Sequence, residues 1–177
     1  MGDITDSDTF GYDDADRMIL ATSERYENTV VLGYDDANRQ ITESLEIGGQ
    51  TYTVTTRYDI ASRVYQIDYP DGTVVNREYN TRYLLQTVKL DGDVIDTRMY
   101  DSSSRLQSCV YGNGVMTSFG YRDDDRVSQI TTTNAGSEKV GTYGYGYDAN
   151  KNKTAETIMG AEAVSYTHLT LPTKRIV

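Results

Sequence analysis

Tryptophan is absent from this 177-residue chain, phenylalanine occurs only at Phe10 and Phe119, and hydrophobic residues make up just 37% of it. Cys109 is the sole cysteine, which excludes an intrachain disulfide and a multi-cysteine zinc site, while a lone thiol leaves the redox compartment open. His168 is the sole histidine and lies near the C-terminus, so neither a Ser–His–Asp nor a Cys–His arrangement can be assembled in the rest of the chain. Basic residues are outnumbered 17 to 27, giving a formal charge of −10. They are also dispersed, whereas a phosphate-backbone partner needs clustered Lys and Arg; nucleic acid is not an expected partner. No apolar run approaches the roughly 18 residues that span a bilayer. The opening MGDITDSDTF is acidic and lacks the charged-then-apolar layout of a secretory signal.

What is present is tyrosine, sixteen residues of it, an amphipathic side chain suited to a half-wet sheet face. Seven of these open a signature that recurs about every 21 to 26 residues: YDDADR at Tyr12, YDDANR at Tyr34, YDIASR at Tyr58, YNTRYL at Tyr79, YDSSSR at Tyr100, YRDDDR at Tyr121 and YDANKN at Tyr147. Asp follows directly in five copies, as Asp13, Asp35, Asp59, Asp101 and Asp148, and five carry Arg five residues after the Tyr, as Arg17, Arg39, Arg63, Arg105 and Arg126. A fixed period on this scale implies one supersecondary unit stacked many times, not a domain built around a single active site.

Alternation defines the unit. In TYTVTTRYD, Tyr52, Val54, Thr56 and Tyr58 fall on one strand face, with Thr51, Thr53, Thr55 and Arg57 on the other. Turn formers follow, alternation resumes at VYQIDY, and YPDGT closes the stroke with Pro70 and Gly72 at tight-turn positions. Further turns are expected at Gly48-Gly49, Asp91-Gly92, Asn113-Gly114 and Asn134-Ala135-Gly136. The residue before each signature Arg is Asp16, Asn38, Ser62, Ser104 or Asp125, a position that fits a left-handed backbone. The expected fold is all-β, a curved antiparallel meander of hairpins with about 13–14 short strands, roughly 60 Å along the stacking direction. Asp and Arg are expected to fix each signature turn, and Tyr to stack on its counterpart one repeat away.

The units resemble the YD repeats of Rhs proteins, insecticidal Tc toxin components and teneurins, whose pattern is close to xxYxYDxxGRLxxxxxxxDG. YQIDYPDGTVVNREYNTRYLLQTV (Tyr65–Val88) and RMYDSSSRLQSCVYGNGVMTSFGYRDDDRV (Arg98–Val127) match best, and the likeness covers about residues 10–155. It implies a segment of a β-strip that spirals into a hollow shell. In bacterial members the shell encloses a toxic C-terminal polypeptide; in teneurins it belongs to an extracellular adhesion protein. The implied partners are flanking repeats of a longer chain and an enclosed C-terminal cargo domain, in a secreted or cell-surface protein. The family's Gly before Arg is missing from the first six units, Asn80 and Leu84 replace Asp and Arg in the fourth, and the DPxGL-type closing motif is absent. Seven repeats are too few to close a shell, so the chain reads as a fragment.

Three segments are expected: a lead-in at 1–9, the repeat strip at 10–160 and a non-repeat tail at 161–177. VSYTHLTLPTKRIV (Val164–Val177) abandons the pattern and resembles the translated sequencing-adapter tails that end some truncated reading frames; a genuine flexible terminus is the alternative. No catalytic, cofactor-binding or metal-ligating residue is assigned. The acidic clusters Asp13-Asp14-Asp16, Asp35-Asp36 and Asp123-Asp124-Asp125 lack the EF-hand and β-roll layouts for calcium and read as turn chemistry. Cys109 falls on an alternating strand and reads as packed, not reactive. A carbohydrate-binding or adhesion module using exposed Tyr is the alternative function, with glycans as partners.

Overall fold

The structure, a computed structural model, describes residues 6–160, and within them the chain is all β. Fourteen strands follow one another: β1 Asp8–Tyr12, β2 Met18–Ser23, β3 Asn28–Tyr34, β4 Gln40–Ile47, β5 Gln50–Tyr58, β6 Val64–Asp68, β7 Val74–Tyr79, β8 Leu85–Leu90, β9 Asp93–Tyr100, β10 Leu106–Tyr111, β11 Met116–Tyr121, β12 Val127–Thr133, β13 Lys139–Tyr147 and β14 Lys153–Gly160. Their order in the sheet is their order in the chain, a meander of hairpins as the alternation predicts. The tail from residue 161, with His168, lies outside the described residues.

Contacts divide the chain into two compact units. One comprises residues up to Arg77 with Lys89–Gly92; the other comprises Glu78–Val88 and the chain from Asp93 onward. In the first unit, strand pairing aligns side chains into rows that cross five strands. Phe10, Ala21, Val30, Leu45 and Tyr52 are successive cross-strand partners and form an apolar row. One residue along, Thr9, Thr22, Thr29, Glu46 and Thr51 form the neighbouring row on the opposite face. Apart from the cross-strand pair Leu20 and Val31, that second face is largely polar: the Thr22 and Thr29 hydroxyls are 3.5 Å apart, Ser44 and Thr53 share a 2.8 Å hydrogen bond, and Arg57 pairs with Asp68. β5 thus divides between its faces as its alternation requires.

The second unit repeats the plan with Phe119, Ile130, Tyr143 and Ile158 as its apolar row. Cys109, opposite Arg98, is buried, and burial together with the neighbouring Asp96 carboxylate pushes its thiol pKa up. Among the described residues Cys109 is the only buried hydrophobic one, joined by Asp96, Ser108 and Thr142, and no large side chain is fully enclosed. Among the described residues the apolar rows are partly covered by their neighbours within the one sheet. Tyrosine suits such a face because its ring shields apolar area while its hydroxyl reaches a polar partner.

Turn chemistry sets where the strands end. On the side opposite the signatures, Gly48-Gly49 and Asp91-Gly92 make two-residue turns with positive φ at both positions (59° and 72°; 50° and 93°), the backbone that matches strand twist. The turns at 69–73 and 111–115 are longer, with Gly72 and Gly114 at φ 90° and 81°. In the turn at 134–138, positive φ falls on Ser137 and not on Gly136, one residue later than the sequence pattern places it. The first such turn, where Glu27 has φ 46°, contains no glycine and gives no signal in the sequence.

Candidate functional site

The seven signatures all form one structure. In the first, the Asp13 and Arg17 backbones pair (N to O, 3.0 Å) and the Asp16 N–H returns to the Asp13 carbonyl (3.0 Å), closing a five-residue turn. Asp16 takes φ 58°; the equivalent Asn38, Ser62, Tyr83, Ser104, Asp125 and Lys151 have φ between 60° and 70°. A left-handed residue after three turn residues is the bulged form of a hairpin loop, and the pairing register shifts beside the signature Tyr, as at Gly11/Tyr12, Gly33/Tyr34 and Gly120/Tyr121.

The Asp side chain fixes the turn from inside. Asp13 Oδ1 accepts the Ala15 and Arg17 N–H groups (2.9 and 3.0 Å), while Oδ2 accepts Arg17 Nε (2.7 Å) and pairs with Nη2 (2.6 Å). Asp35 with Arg39 and Asp59 with Arg63 repeat this geometry closely, and Asp101 with Arg105 does so in the second unit. The guanidinium, then the backbone donors, hold the carboxyls of Asp13, Asp35 and Asp59 below the usual range; for Asp101 the Arg105 backbone N–H leads. In the last signature Asn152 stands where Arg would be, and its amide donates to Asp148 Oδ2 at 3.0 Å.

Four of the signature Arg residues, Arg17, Arg39, Arg105 and Arg126, also reach forward. Arg17 lies over the Tyr34 ring at 4.7 Å and donates to the Asp35 carbonyl (3.3 Å) and Asn38 Oδ1 (2.7 Å). Arg39 does the same to Tyr58 (4.8 Å), the Asp59 carbonyl (3.2 Å) and Ser62 Oγ (3.1 Å). In the second unit Arg105 lies over Tyr121 and Arg126 over Tyr147, both at 4.6 Å, and Arg105 pairs with Asp125 (2.7 Å). The Tyr reaches back: the Tyr34, Tyr58, Tyr100, Tyr121 and Tyr147 hydroxyls donate to the carbonyls of Met18, Gln40, Leu85, Leu106 and Val127 at 2.6–2.9 Å. The expected Tyr-on-Tyr ladder is therefore replaced by an Arg–Tyr ladder, because the guanidinium that clamps one turn sits at the height of the next ring.

Two signatures that break the pattern in letters keep it in space. At the fourth, Tyr79 ends β7, Asn80 Oδ1 accepts the Arg82 and Leu84 N–H groups (2.9 and 3.1 Å), and Arg82 supplies the forward contacts to the Asp101 carbonyl (2.7 Å) and Ser104 Oγ (3.1 Å). At the sixth, Arg122 occupies the Asp position and Asp124 takes over the clamp, pairing closely with Arg126 Nη2. That pairing holds the Asp124 pKa down at about 2. Neither exchange of roles is visible from spacing, since Arg82 and Asp124 stand at positions that are idle in the other copies.

These contacts bear on the other readings of the signature. Tyr rings whose faces meet guanidinium groups and whose hydroxyls are donated to backbone are poorly presented to a sugar ring. Asp13, Asp35 and Asp59 are committed to their own turns, and among the described residues no group of three or more His, Cys, Asp or Glu is arranged to hold a metal ion. No helix of the described residues is long and apolar enough to cross a membrane.

No family model matches the chain, and neither does any curated protein at a significant level. Solved structures do. The crystal structure of TcdB2-TccC3-Cdc42 matches with a TM-score of 0.76 at 16% identity, over 94% of this chain and 10% of that one. TcdB2-TccC3-TEV matches with a TM-score of 0.58 at 12% identity, over 86% of this chain and 11% of the other. The Photorhabdus luminescens Tc holotoxin pore gives 0.57 at 12% identity, with the same two coverages. The likeness is one of fold, and the chain spans about a tenth of the length of the chains it matches.

Proposed function

We propose that this chain is a non-catalytic wall segment of a YD-repeat shell of the Rhs and Tc-toxin kind, one that encloses or presents a C-terminal effector polypeptide in a secreted or cell-surface protein. The observation that carries the reading is the ladder. Chemically similar contacts recur turn after turn, and a scaffold needs such sameness, whereas a binding or catalytic site needs one turn to differ from the rest. Fold likeness to TcdB2-TccC3 over nearly the whole chain supports it from a second direction. The segment's work is mechanical: clamped turns hold the hairpins in register, and excess carboxylate keeps the turns hydrated.

The test is a continuous read of the source locus followed by expression of the complete product. The expected result is further Tyr-Asp units leading into a non-repetitive domain that resists added protease in the intact protein and is cut once the repeats are unfolded. A locus encoding only this stretch, or a downstream domain cut as fast as the free domain, overturns the proposal. Saturable glycan binding lost on Tyr52→Ala would instead favour the carbohydrate-binding module, since Tyr52 is exposed and is not one of the signature tyrosines.

A further inference from the structure

The fourth signature turn, between β7 and β8 in mid-chain, departs from the other six in two ways. The first is Tyr83. It occupies the left-handed position at φ 64°, where the other turns place Asp, Asn, Ser or Lys. A bulky aromatic is disfavoured in that backbone, having neither glycine's freedom nor a short polar side chain that bonds locally. The residue is nevertheless displayed, 69% exposed at the tip of the turn. Backbone strain of this kind clusters at sites that recognise something.

The second is Arg82. Arg17, Arg39 and Arg105 each grip the Asp of their own turn through Nε, at 2.7 Å. Arg82 has no such carboxylate, because position 80 is Asn, and the fourth signature is the only one of the seven with an Arg and no acidic residue. Its hydrogen bonds all leave from Nη1, to the Asp101 and Ser102 carbonyls and Ser104 Oγ (2.7, 3.5 and 3.1 Å). One edge of the guanidinium is thereby pinned to the fifth turn. The other edge, Nε with Nη2, is the fork that matches a carboxylate, and the side chain is exposed where Arg17, Arg39 and Arg105 are half-buried.

We infer that this turn is a docking point for an acidic segment of another protein, one that presents an Asp or Glu carboxylate to Nε and Nη2 of Arg82 and an apolar side chain to the Tyr83 ring. A carboxylate is what the clamped Arg residues of this chain already take at those atoms. Tyr and Arg are also among the residues that dominate protein interfaces. A chain of net charge −10 repels acidic partners in general, so a turn with a cation and no anion is where one can be received. The inference goes beyond the wall reading and does not depend on it: an array of like turns can carry one turn that recognises a partner.

The test pans a phage-displayed library of random dodecapeptides against the full chain and titrates the enriched peptides by fluorescence anisotropy. Enrichment of sequences with Asp or Glu beside an aromatic or aliphatic residue is expected. Their affinity should fall about tenfold on Arg82→Gln and at least as far on Tyr83→Asn. Circular dichroism checks the fold of each variant; Arg82→Lys, which keeps the charge and loses the fork, replaces Arg82→Gln if that variant fails to fold, and should also weaken binding. Asn suits the left-handed backbone, so Tyr83→Asn should hold or raise the urea midpoint while binding is lost. A tyrosine kept for structure would give a lower midpoint. No enriched peptide, enriched peptides without an acidic residue, binding indifferent to both substitutions, or a lower midpoint for Tyr83→Asn would overturn the inference. None of those results touches the shell reading, which stands or falls on the fate of the downstream domain.

Discussion

The two sets of turns solve the same backbone problem with different residues. Away from the signatures, the positive φ angles fall largely on glycine, at Gly48, Gly49, Gly72, Gly92 and Gly114. At the signatures they fall on Asp16, Asn38, Ser62, Tyr83, Ser104, Asp125 and Lys151, each of which has a Cβ that disfavours the left-handed region. The difference lies in what the side chain does next. Asn38, Ser62, Ser104 and Asp125 accept a guanidinium from the turn before, at 2.7–3.1 Å. Glycine makes a cheaper turn; Asn, Ser or Asp makes a turn that is linked to its neighbour. The absence of glycine from these positions is in this light an exchange of backbone ease for connection.

Four substitutions probe that contrast. The largest effect is expected on the glycine side. A Cβ at Gly114 would lie 2.7 Å from the Ala135 Cβ and sits at φ 81°, so Gly114→Ala should cost about 2–4 kcal/mol in a urea titration. Next is the Tyr contact: Tyr121→Phe removes the donor to the Leu106 carbonyl and should cost about 1 kcal/mol. Third, Lys151 has a left-handed backbone in the turn that ends the ladder, so Lys151→Gly should gain up to about 1 kcal/mol. Asn38→Gly, which gives up the Arg17 hydrogen bond, should show no such gain. Equal gains at both positions would break the explanation offered for the missing glycines.

The smallest effect at any one turn is that of pH. The carboxyls of Asp13, Asp35, Asp59, Asp101, Asp124 and Asp148 are depressed in the folded chain below the ordinary value of 3.8. Such groups contribute stability that is fully present above the unfolded pKa and is lost as pH falls through the folded one. The melting temperature should therefore be flat from pH 7 to about pH 5, fall below about pH 4, and continue to fall toward pH 2, where Asp124 finally protonates. Asp35→Asn should flatten part of that acid limb; an unchanged limb would show that the clamps do not govern it.

Much of this was legible in the residues. Alternation in TYTVTTRY assigned both faces of β5, and the Gly-Gly and Asp-Gly pairs marked hairpin ends, because period-2 patterning and positive φ are local demands. The turn at Glu27 escaped because a non-glycine residue met the same demand without a compositional mark. The roles of Arg82 and Asp124 escaped for a different reason. A guanidinium two residues early can reach the same acceptors in space, and spacing along the chain does not encode reach. The stacking partner of Tyr34, Tyr58, Tyr121 and Tyr147 was misread for want of one fact, that the Arg clamping one turn lies over the ring of the next.

Because each strand lies beside its sequence neighbours in the sheet order, every bond in the fold closes over a short stretch of chain. The molecule can then be assembled the way a zip fastener is, one tooth at a time, as it leaves the ribosome, with no distant segment to wait for. It should come apart the same way. Pulled by its ends, it should yield a train of small, even force steps, each the release of a single hairpin, where a protein with a central core gives way at once.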